Sequence, residues 1–475
     1  MFAKILNSMV NKIFKNKNDF DLKTSRTFRF SYNIILSLFI LFILTFCKMN
    51  TNPSIKFIIP EALLFPKPGY SIGGNVTLLG TGKSLTIQLN GTGSQTISAN
   101  GAYSIGGLAN NATYDLDVLT QPTNQVCTIS NATGTIAGAN ITNADITCSI
   151  GTLSSGTIIN TLTLTGGVTT LNGSPCGATA SGCTSSSGYS DSTTPDSVMY
   201  SGGEGLTTDG TNLYVADKNN NRIRKVVIAT GVTTTLAGNG TNAKVDGKGT
   251  AASLSQPRFI TTDGAYLYVS DSSNDCIRKI NINTTVVTTL ATDSTLLSDP
   301  RGLVVYNNNL YVLNNSSDRL RQIDLSTATI TTVVSSGLSS PRNMTLIGTD
   351  LYIADSGNDE ILKTTIGTWT LTSFAGSSAG YLDGTGAGAR FNNLEGLTTD
   401  GTSLYVADTG NNNIRKITVP GAVVTTLAGP LGITSGYTNS QTFSTARFSS
   451  PKGITSDGLN LYVFDTSNNA IRKIQ

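Results

Sequence analysis

The stretch LYVFDTSNNAIRKIQ, residues 461–475, closely copies LYVADTGNNNIRKI at 404–417 and LYVADKNNNRIRKV at 213–226. Leu-Tyr pairs begin such copies at positions 213, 267, 310, 351, 404 and 461. A phrase that recurs every 41 to 57 residues indicates a chain built from one repeated structural unit. The fold therefore depends on what one unit forms.

Each unit is predicted to form four antiparallel strands. A short phrase such as GLTTD at 205–209 precedes an Asp-Gly turn, and the turn leads into the Leu-Tyr strand. A polar turn then leads to the Ile-Arg-Lys phrase, and GVTTTLAG at 231–238 supplies a fourth strand. Repeated four-stranded units are typical of propeller blades. We predict an all-β fold in which residues 151–475 form a six-bladed β-propeller.

The copy at 461–475 is not followed by a fourth-strand phrase, but a matching phrase stands upstream. GGVTTLNG at 166–173 precedes the first full unit. We expect residues 168–171 to form the outer strand of the blade that contains 452–475. Backbone pairing between two distant segments would close the ring and leave no free sheet edge at the seam.

Composition excludes several kinds of site. The chain of 475 residues contains no histidine, which removes Ser-His and Cys-His nucleophiles and the commonest neutral metal ligand. The formal charge is +3, but the first 47 residues carry seven Lys and Arg and two Asp. The remainder holds 25 basic and 27 acidic residues, so its charge gives no reason to bind nucleic acid.

The N-terminal segment is predicted to direct export. A basic stretch leads into IILSLFILFILTF at 34–46, a run that as a helix reaches about 20 Å and falls short of a roughly 30 Å hydrocarbon core. Residues 1–46 are therefore interpreted as a signal peptide. LTFC at 44–47 resembles the lipobox of bacterial lipoproteins, although Phe46 replaces the usual small residue. The resemblance implies a lipid on Cys47, a tether over 47–69, and a place in the cell envelope, at the outer membrane or cell surface.

Residues 70–150 are predicted to form a small β-sandwich. Alternating strands with turns at intervals of about 8 to 12 residues are typical of that fold. TYDLDVLTQPTNQVCTISNATGTI at 113–136 resembles Ig-like and prealbumin-like modules of bacterial surface proteins, which implies a spacer. Export permits disulfides, for which Cys127 and Cys148, and Cys176 and Cys183, are the candidates. Cys276 is left over and is interpreted as structural.

The repeats resemble the NHL family, on the evidence of ADTGNNNIRKI at 407–417 and ADKNNNRIRKV at 216–226. The resemblance covers residues 203–475. The histidine of the family's name is absent, and we place short polar residues at its positions: Asn220, Asp275, Asp318, Asp359, Asn412 and Asn469. Such side chains bond turn backbone, which favours a structural role. The arginines of the Ile-Arg-Lys phrases, among them Arg224, Arg278, Arg415 and Arg472, are predicted to pack between blades with their stems on apolar surface.

A ring of charge is predicted at one mouth of the propeller channel. Each first strand opens with a charged residue: Glu204, Arg258, Arg301, Arg342, Glu395 and Lys452. Two interpretations remain open. The six could pair with one another, or Arg258, Arg301 and Arg342 could form a basic arc for an anionic ligand such as a carboxylate, a phosphate or an acidic sugar.

The long insertions, at 173–203, 238–257, 376–394 and 429–451, precede first strands on the same face. Asp246 and Asp383 head Asp-Gly turns within two of them. Calcium is an alternative ligand for these carboxylates, but a plain turn is the favoured interpretation, and no cofactor is predicted.

The leading functional hypothesis is a monomeric binding or scaffold module whose loop face meets a protein, an anionic carbohydrate or another small ligand. The alternative is an enzyme. Similar six-bladed propellers include calcium-dependent lactonases, hydrolases and lyases with a site in the channel. Those relatives use histidine, which this chain lacks.

Overall fold

A computed structural model describes residues 69–79, 83–91, 93–120, 122, 125–150, 152–154, 157–173, 188–194, 200–430 and 432–475. The predicted signal peptide, nearly all of the tether, and the residues Cys47, Cys176 and Cys183 lie outside these ranges. No helix in the described part of the chain is long and apolar enough to span a bilayer. The fold is all-β, as predicted.

The first described domain consists of two four-stranded sheets. One contains Tyr70–Thr77, Gly101–Leu108, Gln125–Ile129 and Ile146–Ile150, and the other contains Leu85–Leu89, Gly93–Ile97, Thr113–Thr120 and Thr133–Thr135. Ile72, Ile87 and Leu116 are fully buried in the core between them. Cys127 and Cys148 lie opposite each other on neighbouring strands and form a disulfide.

Six sheets of a second kind follow between Val168 and Ile474. In chain order, blade 1 contains Leu206–Thr208, Asn212–Asp217, Arg222–Val227 and Thr233–Ala237, and blade 2 contains Pro257–Thr262, Tyr266–Asp271, Cys276–Asn281 and Val286–Thr292. Blade 3 contains Pro300–Tyr306, Asn309–Asn314, Arg319–Asp324 and Ile330–Val334, and blade 4 contains Pro341–Ile347, Asp350–Asp355, Glu360–Thr365 and Thr372–Gly376. Blade 5 contains Leu397–Thr399, Ser403–Asp408, Asn413–Thr418 and Val423–Ala428. Blade 6 contains Pro451–Ser456, Leu461–Asp465, Ala470–Ile474 and Val168–Asn172.

The first strands of the six blades contact one another in a closed cycle, with blade 6 against blade 1. Glycines allow this close approach. A Cβ at Gly205 would lie 2.7 Å from the carbonyl oxygen of Arg258, and one at Gly453 would lie 2.5 Å from that of Glu204. Larger residues would push the inner strands apart, so the glycines keep the channel narrow.

The seam of the ring lies inside blade 6. Val168 pairs with Ile474, Thr169 with Lys473, and Thr170 with Arg472, in antiparallel register. The strand continues to Asn172, whose side-chain amide donates a 2.8 Å hydrogen bond to the hydroxyl of Thr233 in blade 1. Blade 6 thus holds together two segments that are far apart in the chain.

The Tyr of each Leu-Tyr pair is buried between blades and, in four of the six, also ties down the preceding turn. The hydroxyl of Tyr214 donates to Asp209 at 2.7 Å, and that of Tyr405 donates to Asp400 at 2.8 Å. The other oxygen of Asp209 accepts the backbone N–H groups of Thr211 and Asn212. The Asp-Gly turn and the strand that follows it are therefore one hydrogen-bonded unit.

The arginines of the Ile-Arg-Lys phrase do more than pack between blades, and that prediction was incomplete. Arg224, Arg278, Arg415 and Arg472 are completely buried and form ion pairs with an aspartate seven residues earlier: Asp217, Asp271, Asp408 and Asp465. Arg415 Nη1 lies 2.8 Å from Asp408, while its Nη2 lies 2.6 Å from Asp383 in the preceding insertion. Each such arginine thus binds an insertion to its blade.

Five of the six residues at the NHL family's histidine position link neighbouring blades, and one of our assignments was off by one. Asn221, not Asn220, occupies this position. Its backbone is in the left-handed conformation, with φ 52°, as are the backbones of Asp275, Asp318, Asp359, Asn412 and Asn469. Asn and Asp tolerate that conformation better than other side chains. The side chain of Asn221 accepts the backbone N–H of Gln256 at 2.8 Å, and Asn412 does the same for Ser450.

Candidate functional site

The six predicted charged residues converge at the start of the first strands, where neighbouring blades meet. Glu204 lies at the centre of one half of this ring. Arg258 Nη1 donates to both its carboxylate oxygens, at 3.1 and 3.0 Å, and Lys218 Nζ and Lys452 Nζ donate to Oε1 at 2.9 and 3.3 Å. We call the six charged residues, together with the charged side chains that bond to them, the mouth.

Glu204 is a strongly held anion. Its burial by itself raises the pKa, but the positive charges of Lys452, Arg258 and Lys218 outweigh burial and lower the pKa of Glu204 to about 2. It is 2% exposed. The carboxylate is consequently ionised at any physiological pH, and its oxygens are occupied by cations of the protein itself.

Arg301 lies between Arg258 and Arg342, as the basic-arc interpretation requires. An aspartate that sequence reasoning missed, Asp299, lies among these arginines. Asp299 accepts from Arg301 Nε and Nη2 at 3.1 and 3.0 Å and lies 3.5 Å from Arg258 Nε. Burial, followed by the charges of Arg258 and Arg342, lowers the pKa of Arg301 despite Asp299. Asp299 lies directly before Pro300 at the start of the strand, and this position in the sequence could have indicated that its carboxylate belongs to the mouth.

The second half of the mouth is bonded much less. Glu395 is 4% exposed, and its Oε1 lies 3.6 Å from Lys452 Nζ and 4.0 Å from Arg342 Nε, beyond ordinary hydrogen-bond length. Its Oε2 is buried and has no hydrogen-bond partner, and the same holds for Arg342 Nε. The two glutamates, which look alike in sequence, therefore have different environments.

One position explains much of that difference. Lys218 follows the last aspartate of the second strand in blade 1 and reaches Glu204. Blade 5 has Thr409 at the same place, and its hydroxyl instead donates to the carbonyl oxygen of Pro451 at 2.6 Å. Blade 5 thus lacks a lysine that would donate a hydrogen bond to Glu395 as Lys218 does to Glu204.

The opposite end of the channel is covered. The short strand Thr157–Ile159 contacts the first strands of blades 1, 5 and 6. Beside it, Asn160 Nδ2 donates to the carbonyl oxygen of Gly458 at 2.7 Å, and the backbone N–H of Leu162 donates to Asp400 at 3.1 Å. This cover was not foreseen in the sequence. This end of the channel is therefore obstructed beside blades 1, 5 and 6.

The insertions are fastened to the outer edges of the blades. Asp246 binds Arg278 at 2.7 Å and the hydroxyl of Thr289 at 2.8 Å, and Gly247–Lys248 adds a short strand to the edge of blade 2. Asp383 has the equivalent partners in blade 5. The two carboxylates for which calcium was the alternative ligand are therefore bonded to arginine and threonine side chains of the protein. Within the described ranges, no three His, Cys, Asp or Glu side chains are arranged to hold a metal ion.

Blades 3 and 4 differ from the other four, because the segments that precede their first strands are short. The buried ion pair is lost with the insertion: Asn314 replaces the aspartate in blade 3, and Leu362 replaces the arginine in blade 4. The mouth is therefore least enclosed by loops beside Arg301 and Arg342.

A cavity of about 620 Å³ lies elsewhere, between the sandwich and the turns on the covered side of the propeller. Its lining includes Asp145, Asp209, Tyr214 and Asn283. These polar groups already have protein partners: the N–H of Asn75 for Asp145, the turn and Tyr214 for Asp209, and Asp117 for Asn283. We therefore regard it as an interdomain gap and the mouth as the candidate site.

No protein-family model matches the chain. Over 103 residues it is 29% identical to NHL repeat-containing protein 2 of Gallus gallus, a match that covers 22% of this chain and only 14% of that protein. It is similar to the solved structure of a protein of unknown function from Bacteroides thetaiotaomicron, with a TM-score of 0.55, 16% identity, and coverage of 82% of this chain and 90% of the other.

Two further structures are similar over the same shares of both chains. They are auxiliary nutrient binding proteins from Bacteroides thetaiotaomicron, with a TM-score of 0.54 and 20% identity, and from Bacteroides ovatus, with a TM-score of 0.53 and 17% identity. The likenesses confirm the propeller fold and the NHL-like repeat. The three solved structures cover 82% of this chain, which is more than residues 168–475 alone.

Proposed function

We propose that this protein is an exported, lipid-anchored binding protein of the cell envelope, whose propeller binds an anionic ligand or protein partner at the mouth. It acts as a monomer, with the sandwich as a spacer between anchor and propeller. No residue is assigned a catalytic step. The likeness of fold to two auxiliary nutrient binding proteins supports a ligand-binding role.

The observation that carries the proposal is the convergence of charge at a channel with one covered end. Five cations, namely Lys218, Arg258, Arg301, Arg342 and Lys452, surround the three anions Glu204, Asp299 and Glu395. The excess of positive charge attracts anions, and arginine in particular binds carboxylate and phosphate groups with two parallel hydrogen bonds. The segments that precede the first strands of blades 3 and 4 are short, so few loops surround Arg301 and Arg342.

Binding of small anions tests this proposal. Purified full-length protein is titrated with acetate, phosphate and galacturonate by calorimetry, alongside the double variant Arg301→Met, Arg342→Met. Both substitutions leave Glu204 with Lys218, Arg258 and Lys452, so the ring should remain folded. We expect the variant to lose anion binding. A variant that binds these anions as tightly as the wild type would refute the mouth as the binding site.

The anchor has a separate test. Cells that express the protein are grown with a palmitate analogue, and incorporation is compared between wild type and Cys47→Ala. We expect label only in the wild type. Equal labelling of the variant would refute lipidation at Cys47.

A further inference from the structure

We propose that the Glu395 half of the mouth is a subsite for a sugar acid, that is, a ligand that carries hydroxyl groups beside a carboxylate. The inference rests on the proposed function and names the ligand class for it. Its basis is the contrast between the two glutamates of the mouth.

The first step is the unfilled bonding capacity of Glu395. Glu204 accepts four hydrogen bonds from cationic side chains, whereas no side chain donates a hydrogen bond to Glu395 Oε2. Buried carboxylate oxygens normally have donors. Glu395 is more than nine-tenths buried, yet Lys452 and Arg342, which flank it, are each 21% exposed at the mouth. Because Oε2 itself is covered, a donor that enters from the mouth fills this vacant acceptor when the partly exposed side chains of Lys452 and Arg342 move aside.

The second step is the unfilled donor of Arg342. Its Nε is buried without an acceptor, and its distance of 4.0 Å from Glu395 Oε1 is too long for a hydrogen bond. A hydroxyl group both donates and accepts, so neighbouring hydroxyls of a sugar can donate to Glu395 and accept from Arg342. An isolated carboxylate offers no donor to Glu395.

The third step is charge. The mouth holds five cations and three anions, so a neutral sugar would leave the excess positive charge uncompensated. A carboxylate near Arg301 and Arg342 compensates it. Hydroxyls and a carboxylate on one small molecule therefore match both features.

The experiment compares three probes: galacturonate, galactose and acetate. Calorimetric titration of the full-length protein should give the lowest Kd for galacturonate. In Glu395→Gln, the side-chain amide presents a donor in place of an acceptor oxygen. We expect the ratio of the Kd for galacturonate to the Kd for acetate to rise at least tenfold, because the loss of one negative charge beside Lys452 and Arg342 affects both carboxylates and cancels in the ratio.

Thr409→Lys supplies an independent variant that retains Glu395. The introduced lysine should bond to Glu395 as Lys218 bonds to Glu204, and should also raise the Kd for galacturonate at least tenfold relative to the Kd for acetate. Equal Kd values for galacturonate and acetate, or unchanged galacturonate binding in both variants, would overturn the sugar-acid subsite while anion binding at the mouth stands. Absence of binding by any anion would overturn the proposed function as well.

Discussion

Replacing Arg415 by leucine, the residue found at the equivalent position 362, tests whether the buried ion pairs hold the blades. Arg415 is fully buried and donates to Asp408 at 2.8 Å, to Asp383 at 2.6 Å, and to the carbonyl oxygens of Arg390 and Leu382 at 3.0 and 3.1 Å. Its loss leaves Asp408 as a buried carboxylate without a cation. Breaking a buried pair in this way costs about 3 to 5 kcal/mol.

Asp408 keeps its hydrogen bonds from Asn411 and from the N–H of Asn392, so we expect the lower end of that range, about 3 kcal/mol. Urea denaturation followed by fluorescence measures the loss in free energy of unfolding. Lys363→Met is the control, because its 2.7 Å pair with Asp350 is 32% and 33% exposed and such pairs contribute about 0 to 1 kcal/mol.

A double variant, Arg415→Leu with Asp408→Asn, completes the test. Removal of the uncompensated charge should recover part of the lost stability, which gives a coupling free energy for the pair. The reasoning would be refuted if Arg415→Leu lost less than the Lys363 control, or if the double variant were no more stable than Arg415→Leu alone.

Four further outcomes follow from the fold. Gly396→Ala should lower the melting temperature, because a Cβ would overlap the backbone of the next first strand, whereas Gly388→Ala, with open space around it, should not; equal melting temperatures would contradict this. Deleting residues 461–475 should destabilise the whole ring in one unfolding transition, and hydrogen exchange that stays slow in blades 1 to 4 would argue against it. Burial raises the pKa of Asp355 from 3.8 to about 6 in the folded protein, so its contribution to stability is present below about pH 4 and lost as the pH rises through 6; Asp355→Asn should reduce the decline in melting temperature over that range, to which Asp408 and Asp465, with pKa values also raised to about 6, contribute as well. Burial raises the pKa of the Cys276 thiol to about 12, so a thiol reagent should react with it only after unfolding, and rapid reaction of the native protein would be inconsistent with the structure.

Much of the fold could be predicted from sequence because the decisive interactions are local. An Asp-Gly turn, a β-branched strand and a polar turn specify hairpins within some twenty residues, and the repeat of that pattern implies a ring. The charged start of each first strand could likewise be assigned to one end of the channel. Equivalent positions in successive blades must lie on the same face.

The partners of these residues could not be predicted by the same route. Glu204 accepts a hydrogen bond from Lys218, whereas Glu395 has no such donor because the equivalent residue in blade 5 is Thr409. This single difference lies between two otherwise similar turns. The aspartate–arginine pairs left a signal that was overlooked: they occur where an insertion precedes the blade and are lost in blades 3 and 4. The strand over the channel had no sequence signal, because Thr157–Ile159, unlike the distant seam strand, does not copy a phrase of the repeat.

The seam in blade 6 also sets an order of events during biogenesis. A ribosome delivers Val168–Asn172 early and Ala470–Ile474 late, so the early strand waits while five blades are synthesised. The circle can close only after Ala470–Ile474 has been made, because this strand supplies the backbone partners of Val168–Asn172. A chain interrupted before Ala470 would leave Val168–Asn172 without its partner strand, and such an unpaired strand edge promotes association with other chains.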